Sequence, residues 1–319
     1  NTIINFTDTN FKNALLDHGV GITAGGGLIS KIDTNNDGEI QINEAEAYTG
    51  LIRLIDQGIY NLNGLEHFVN ITRITCTENP ISTFDISKNT ELTNFNLSGS
   101  NVSSIDFENN TKLDDIDIRS TFISSLDISK NEELTTLSLR FNNQLNDIDI
   151  SKNVKLSYID VSASNFASLN LLNNTLLNFL DCSNNYLSEL DLSKNISLNI
   201  MKANNNPNLT CIQIPYNFMP ETNWLKDDTA TYSENCSTAS TEEYTNNNIV
   251  LYPNPTTGKI TISNRNNQIR RIDIYNTLGK KLVSTKNTNI NISSLPKGIY
   301  YIKIMGINNN ISSKKIILK

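Results

Sequence analysis

Residues 113–133 read LDDIDIRSTFISSLDISKNEE, and that unit recurs along the chain. The stretch 71–214 repeats every 21 residues and is twice stretched to 22. The shared pattern is L-x-x-L-x-L-x-x-N-x-L-x-x-L-D-L-x-x-N-x-x. Its first apolar position falls at Ile71, Leu92, Leu113, Leu134, Leu156, Leu177 and Leu198. The next two fall at Ile74/Cys76, Phe95/Leu97, Ile116/Ile118, Leu137/Leu139, Ile159/Val161, Leu180/Cys182 and Met201/Ala203. The extra residue of each longer copy precedes Leu145 or Leu209, at a turn. One such unit has no partner for its own apolar face, whereas stacked parallel coils bury it as a continuous stripe. The L-x-L stretch alternates in and out, as a strand does.

The second half of the unit (STFDISKN, SSLDISKN, NDIDISKN, SELDLSKN) mimics the first. Its turn carries a row of asparagines, Asn89, Asn110, Asn131, Asn153, Asn174 and Asn195. Their amides are suited to satisfying turn backbone groups inside the stack. Beside them runs a row of acids, Asp85, Asp106, Asp127, Asp149 and Asp191, interrupted by Asn170. Stacked like charges repel, and Lys88, Lys130, Lys152 and Lys194 offset this three places on. The row reads either as a solvated charged face or as a line of divalent-ion sites. The nested unit resembles the bacterial leucine-rich repeats built from two half-repeats. That resemblance implies short strands on both sides of the coil and no helical convex face.

The flanks differ. Residues 1–67 are predicted to cap the first open edge, with helices over Phe11–Asp17 and Glu44–Ile55, the second packing through Ala45, Leu51, Ile52 and Ile55. The solenoid of about seven coils spans 68–214, and a second cap spans 215–236. Cys211 and Cys236 bracket that cap, which holds the only tryptophan, Trp224; a disulfide between them is predicted. Cys76 and Cys182 occupy equivalent inward positions about 24 Å apart by strand spacing, beyond the ~7 Å reach of a disulfide, and are predicted to be free thiols. Residues 237–248 (STASTEEYTNNN) read as a linker. Residues 249–319 alternate in short runs with turn signals, which predicts a small Ig-like β-sandwich. The expected fold class is therefore mainly β: a solenoid with a small helical N-terminal cap and a C-terminal sandwich.

The sharpest chemical motif is DTNNDGEIQINE, Asp33 to Glu44. Asp33, Asn35 and Asp37 hold positions 1, 3 and 5 of the twelve-residue EF-hand loop, with Gly38 at the sharp turn. The carbonyl of Glu39 takes position 7, Gln41 position 9, and Glu44 the bidentate twelfth place, while Ile40 fills the apolar eighth. Hard oxygen donors in a flexible loop suit Ca²⁺. Upstream, VGITAGGGLIS carries three successive glycines, which disfavour an entering helix. The loop therefore resembles a solitary, dockerin-like half-site, and its alternative reading is an Asx-rich turn without metal.

LYPNPTTGKITI, RRIDIYNTLGKKL, ISSLPKGIYYIKI and the final KKIILK resemble the type A sorting domain of the type IX secretion system of Bacteroidota. Pro253, Asn254, Pro255 and Gly258 form its opening turn, Gly279 a later turn, and Leu295, Gly298 and Tyr300 the third stretch. The resemblance implies engagement of the secretion machinery through 249–319 and export to the outer surface of a Gram-negative bacterium. It also implies removal of the domain in or near 237–248, followed by attachment to surface lipopolysaccharide or release. The alternative is an ordinary β-domain used for binding. FKNALL, NDGEI, LDISKN and NPNLTCIQI likewise resemble Bacteroidota surface leucine-rich repeat proteins.

Outward positions of the first strand vary from coil to coil, as recognition requires. Tyr158 and Phe179 are expected side by side on neighbouring coils, with Arg140, Phe141, Asp160 and Asp181 around them. Aromatics beside carboxylates suit sugar stacking or a protein hot spot; alternatively these side chains merely cover the strand surface. A net charge of −7 argues against nucleic acid, which needs a basic face. No apolar run reaches the ~20 residues of a membrane span. The start, NTIINF, has neither a basic nor an apolar leader region, so a signal peptide has been removed or was never present. The only histidines, His18 and His67, lie in the first cap, and no G-x-S-x-G, P-loop or paired Cys/His cluster appears. Paired-carboxylate glycosidase chemistry needs a deep cleft that a small solenoid lacks. The expectation is a non-enzymatic binding or adhesion protein with a protein or glycan ligand. Polysaccharide capture and a structural surface role are the alternatives.

Overall fold

The computed structural model describes residues 2–17, 21–22, 28–220, 223–236, 249–264, 269–306 and 311–319. They belong to two compact units, Asn1–Cys236 and Ser237–Lys319. The 237–248 segment, His18 and most of the glycine-rich stretch at 20–30 lie outside the described residues.

In the first unit, the first residue of each L-x-L stretch and its two neighbours form a three-residue strand, and these triplets belong to one eight-stranded sheet. Its pairs are parallel and in register one coil apart, as in Phe95↔Ile116 and Leu137↔Ile159. The middle residue of every triplet points inward and is fully or almost fully buried, from Ile52 through Ile116 and Leu180 to Met201. Burying each such side chain contributes roughly 1.5–3 kcal/mol, so the stripe supplies most of the cohesion.

The first strand of that sheet is Leu51–Arg53, which corrects the helix expected over Glu44–Ile55. The helix spans only Ile42–Ala47. Tyr48, Thr49 and Gly50 then favour extended or irregular backbone, and Leu51–Arg53 pair with Arg73–Thr75. This eighth coil escapes the repeat pattern because Thr49 stands at its first apolar position and Gln57 at its asparagine position. The other helix spans Thr9–Leu16, capped by Asp8, and buries Phe11 and Leu15. One oxygen of Asp8 accepts the N–H groups of Asn10 and Phe11, and the other those of Tyr60 and Asn61, tying the helix to the first coils.

On the opposite side, strands form only at the C-terminal end, where Leu190–Asp191, Cys211–Gln213 and Thr231–Ser233 make a parallel sheet. The earlier coils turn there without strands, so the expectation of strands on both sides holds for one end only. No helix is described between residues 68 and 236.

Each coil makes two tight turns. At the first, one residue is left-handed (Glu78, Gly99, Ser120, Phe141, Ala163, Asn184, Asn205), and a small polar side chain follows it inward. Asn142 is representative. Its amide donates to the carbonyls of Ile118 and Leu139 at 2.9 and 2.8 Å. Its Oδ1 accepts the Thr121 N–H and hydroxyl at 2.9 and 2.7 Å. At the second turn, Asn131 donates to the carbonyls of Phe107 and Asn110 of the preceding coil; Asn89, Asn110, Asn153, Asn174 and Asn195 do the same.

At the C-terminal cap, Cys211 and Cys236 form a disulfide with Cα atoms 5.6 Å apart. Trp224 is buried, and its Nε1 donates to the Asn199 carbonyl. Asp227 takes the place of the next coil's asparagine, accepting the N–H groups of Asn205 and Asn206. Cys76 and Cys182 are free and buried, and burial pushes both thiols above their usual range.

The second unit pairs a three-stranded antiparallel sheet (Ile249–Tyr252, Lys259–Asn264, Asn289–Asn291) with a four-stranded one. The latter has the order Lys281–Thr285, Ile269–Asn276, Gly298–Gly306, Ile311–Leu318. Ile260, Ile262, Ile272, Ile274, Tyr300, Ile302 and Ile316 are among the residues of its core. Asn254 pins the opening turn to the last strand, accepting the Ile317 N–H and donating to the Lys315 carbonyl. A Cβ on Gly258 would stand 2.5 Å from that of Ser293, so glycine is required there.

Replacing Asn142 by alanine strips partners from two carbonyls, an N–H and a hydroxyl. We expect a loss of about 3 kcal/mol in urea unfolding of the full chain, against under ~0.5 kcal/mol for the exposed neighbour in Asn143→Ala. Alkylation followed by intact-mass analysis should add no label to the native chain, two after denaturation and four after denaturation with reductant. Labelling of the native chain at Cys76 or Cys182 would contradict the stacked core.

Candidate functional site

The outward face of the eight-stranded sheet presents the first and third residue of every triplet. Parallel register sets Tyr158 against Phe179 and Asp160 against Asp181. The two rings stack with centroids 4.3 Å apart and planes within 5°, a contact worth about 0.5–1.5 kcal/mol beyond area burial. Each ring gives one face to the other. Thr136 pairs with Tyr158 and Ile200 with Phe179 on the flanking strands. The rings therefore offer their edges, and Tyr158 its hydroxyl, to solvent.

Asp160 and Asp181 lie beside the stack, each only 8% exposed. In each, Oδ1 accepts the hydroxyl (2.6 Å) and N–H of the serine two residues on, Ser162 or Ser183. Lys202 Nζ reaches Asp181 Oδ2 at 3.3 Å and lies 5.5 Å from the Phe179 centroid. Burial, followed by the charges of Asp160 and Asp181, raises the Tyr158 hydroxyl above its usual pKa. Arg140 and Phe141 pair with each other at the exit of the neighbouring strand, the guanidinium 4.4 Å from the ring centroid. Phe141 is exposed and left-handed, with φ 63°, an uncommon backbone conformation for a bulky residue.

Tyr158, Phe179, Asp160 and Asp181 thus stand together as expected, Arg140 and Phe141 pair with each other, and Lys202, which the sequence reading left out, joins the stack. A second feature was missed altogether. At the N-terminal end of the same face, a depression of about 290 Å³ is lined by Arg53, Arg73, Asn94, Asn96, Asp115 and Asp117 among others. Asn94 donates to Asp115 and Asn96 to Asp117. Burial raises the Asp115 carboxyl above its usual range, with Asn94 opposing. The helix expected over Glu44–Ile55 had hidden Arg53.

The loop Asp33–Glu44 is closed by its own backbone. Asp33 accepts the N–H groups of Asn36 and Gly38, Asn35 that of Asp37, and Asp37 that of Glu39. Asn36 and Gly38 are left-handed. The Glu39 N–H foremost holds the Asp37 carboxyl below the usual range. The buried Glu44 carboxylate accepts from the Thr34 N–H and hydroxyl and from the Asn35 and Gln41 N–H groups. The oxygens match calcium in hardness, but Asp33, Asp37 and Glu44 do not converge. Among the described residues no three His, Cys, Asp or Glu side chains are gathered to hold an ion.

The second acid row serves the turns. Asp85, Asp127, Asp149 and Asp191 each accept the N–H of a serine two residues on, Asp106 that of Glu108, and Asn170 that of Leu172. Bonds from the serine, its N–H first for Asp85 and Asp127 and its hydroxyl first for Asp149, hold those three carboxyls below the usual range. A depressed folded pKa adds stability above the unfolded value of ~3.9, and this is lost as pH falls through the folded value. We expect Asp127→Ala to melt below the wild type at pH 7, with the gap closing as pH falls below the usual aspartate range. Asp127→Asn, which keeps the acceptor as Asn170 does, should melt close to the wild type. A gap that persists at low pH would contradict the turn-capping role.

Residues 250–319 match the family described as the secretion system C-terminal sorting domain. No curated protein matches the chain. Among solved structures, it is similar to the functional domain of InlJ from Listeria monocytogenes, at 15% identity and a TM-score of 0.37, covering 88% of this chain and 93% of that one. It is similar to internalin C2 from the same species at 16% identity and 0.48, covering 66% and 94%. It is also similar to InlP at 15% and 0.40, covering 90% and 92%. The sorting domain makes this chain a secreted, cell-surface protein that engages a secretion system, and no helix among the described residues is long and apolar enough to cross a membrane.

Proposed function

We propose that this exported cell-surface protein is a non-enzymatic binding protein that takes a protein ligand on the strand face around Tyr158 and Phe179. The observation that carries this reading is the mutual stacking of the two rings. A pyranose stacks on an open ring face, and here the faces are turned toward each other and toward the flanking coils. The exposed edges, the Tyr158 hydroxyl, the Asp160 and Asp181 carboxylates and the Lys202 amine suit the mixed polar and apolar chemistry of a protein hot spot. A second reading, capture of polysaccharide, draws on the depression at Arg53, Arg73, Asn94, Asn96, Asp115 and Asp117, whose planar polar groups suit sugar hydroxyls.

The full chain, probed against an array of extracellular proteins and by affinity electrophoresis in a panel of polysaccharides, separates the two. We expect saturable protein binding that Tyr158→Ala/Phe179→Ala weakens at least about tenfold, roughly 1.4 kcal/mol, at little cost in melting temperature. Retardation in a polysaccharide gel that Arg73→Ala releases and Tyr158→Ala does not would replace the protein reading with the glycan one.

The loop at 33–44 is assigned a calcium ion that locks the N-terminal cap. Asp33, Asn35, Asp37, the Glu39 carbonyl and a bidentate Glu44 would hold it, Glu44 turning away from Thr34 and Asn35. Supporting this are the all-oxygen donor set and the left-handed Asn36 and Gly38. At a hundredfold excess over Kd, calcium should add about 2.7 kcal/mol to the stability of the full chain relative to chelator. An unchanged melting temperature would leave the loop as a metal-free turn. The export route is assigned to the type IX system of Bacteroidota, with removal of the sorting domain in or near 237–248; the intact mass of the surface form checks this.

A further inference from the structure

The net charge of −7 conceals a division. Residues 249–319 hold twelve lysines and arginines and one acid, Asp273, whereas 1–248 hold fourteen and thirty-two. The sorting domain is thus a small, strongly cationic body on a strongly anionic chain. Its single carboxylate is fully buried. Arg271 Nε lies 3.0 Å and Lys281 Nζ 3.9 Å from Asp273 Oδ2, and the Ser284 hydroxyl donates to Oδ1 at 2.6 Å. Two cations share that one charge.

Three of the lysines, Lys281, Lys303 and Lys315, lie on one face. In the four-stranded sheet, Ile272, Ile274, Ile302, Ile304 and Ile316 point into the core, so alternation turns their neighbours to the other side. Cross-strand register on that outer side runs Lys281, Tyr275, Tyr301, Lys315, and Lys303 sits opposite Asp273. Tyr301 is 49% and Ile299 41% exposed there. Exposed aromatic and aliphatic groups framed by amines make a docking surface for a partner with the opposite charge. Uncompensated positive charge on a small domain is self-repulsive, which an acidic partner relieves.

We propose that this face docks an acidic surface on a protein of the secretion machinery, and that charge is how the machinery distinguishes the sorting domain from the anionic chain it is attached to. An acidic receptor attracts residues 249–319 and repels residues 1–248, so the contact is steered to the correct end. Screening confines the attraction to about 8 Å at physiological salt, and the apolar groups Tyr301 and Ile299 then hold the docked state.

The test is export of the full chain in the bacterium that makes it. The face variant is Lys281→Gln/Lys303→Gln/Lys315→Gln; the control, Lys259→Gln/Lys286→Gln/Lys297→Gln, removes equal charge elsewhere in the domain. We expect the face variant to lower the surface fraction about tenfold, the equivalent of roughly 1.4 kcal/mol of docking, at unchanged melting temperature, and the control to export normally. Lys→Arg at the same three face positions should restore export. If the face triple lowers the melting temperature, Lys315→Glu alone, at an exposed position, must still reduce export. Equal loss in face and control variants, loss in the arginine variant, or no loss in any variant would overturn the proposal. So would co-sedimentation of the purified chain with phosphatidylglycerol vesicles but not phosphatidylcholine vesicles, abolished by the face triple, since that assigns the face to lipid.

Discussion

Everything in the first unit depends on one donor arrangement, the asparagine amide that reaches back across a turn to the carbonyls of the preceding coil. A coil of 21 residues turns sharply twice, and each turn leaves inward carbonyls that neither solvent nor the strand ladder can satisfy. Leaving them bare costs about 1–3 kcal/mol apiece. An amide on a short, stiff stem fits between coils where serine and threonine substitute only in part. At the first turn the amide is used at both ends, as Asn142 illustrates. At the second, the six Oδ1 atoms of the row meet no donor. The nearest N–H groups there close the turn itself, as when the Asn110 N–H donates to the Phe107 carbonyl and the Leu113 N–H to the Asn110 carbonyl. The stack tolerates an unpaired acceptor more readily than it would an unpaired N–H.

Because buried polar side chains close the turns at the same two places in successive coils, the strand face is free to vary. The same register that stacks the core brings any two outward residues at one position into contact, whatever their chemistry. This produces the Tyr158–Phe179 stack, the Asp160–Asp181 pair with Lys202 at its end, and the Asn94–Asp115 and Asn96–Asp117 contacts. The fold constrains these outward rows only through their 21-residue spacing, which leaves their chemistry free to vary.

The caps show where periodicity stops serving as a guide. Leu51–Arg53 belong to the sheet, though their coil lacks the leading apolar residue and the asparagine. Asp227 likewise does an asparagine's work beyond the last repeat. In both places the hydrogen-bonding need of the adjacent coil recruits whatever residue is available. Local sequence carries little trace of that need, because it arises from a neighbour some twenty residues away.

By itself, the sequence determined the solenoid, its period, the inward residues, the pairing of Cys211 with Cys236 and the identity of the C-terminal domain. The solenoid, its period and its inward residues follow from spacing, which in a one-dimensional stack converts directly into position; the pairing follows from two cysteines bracketing the cap, and the C-terminal domain from ordered motifs that resemble a known family. Tertiary structure alone decided which way the rings at Tyr158 and Phe179 present themselves, that Glu44 faces backbone N–H groups, that the acid row caps turns, and that Lys281, Lys303 and Lys315 share a face. Those depend on side-chain direction and on competition among nearby donors, which are settled only when the coils and sheets are packed together.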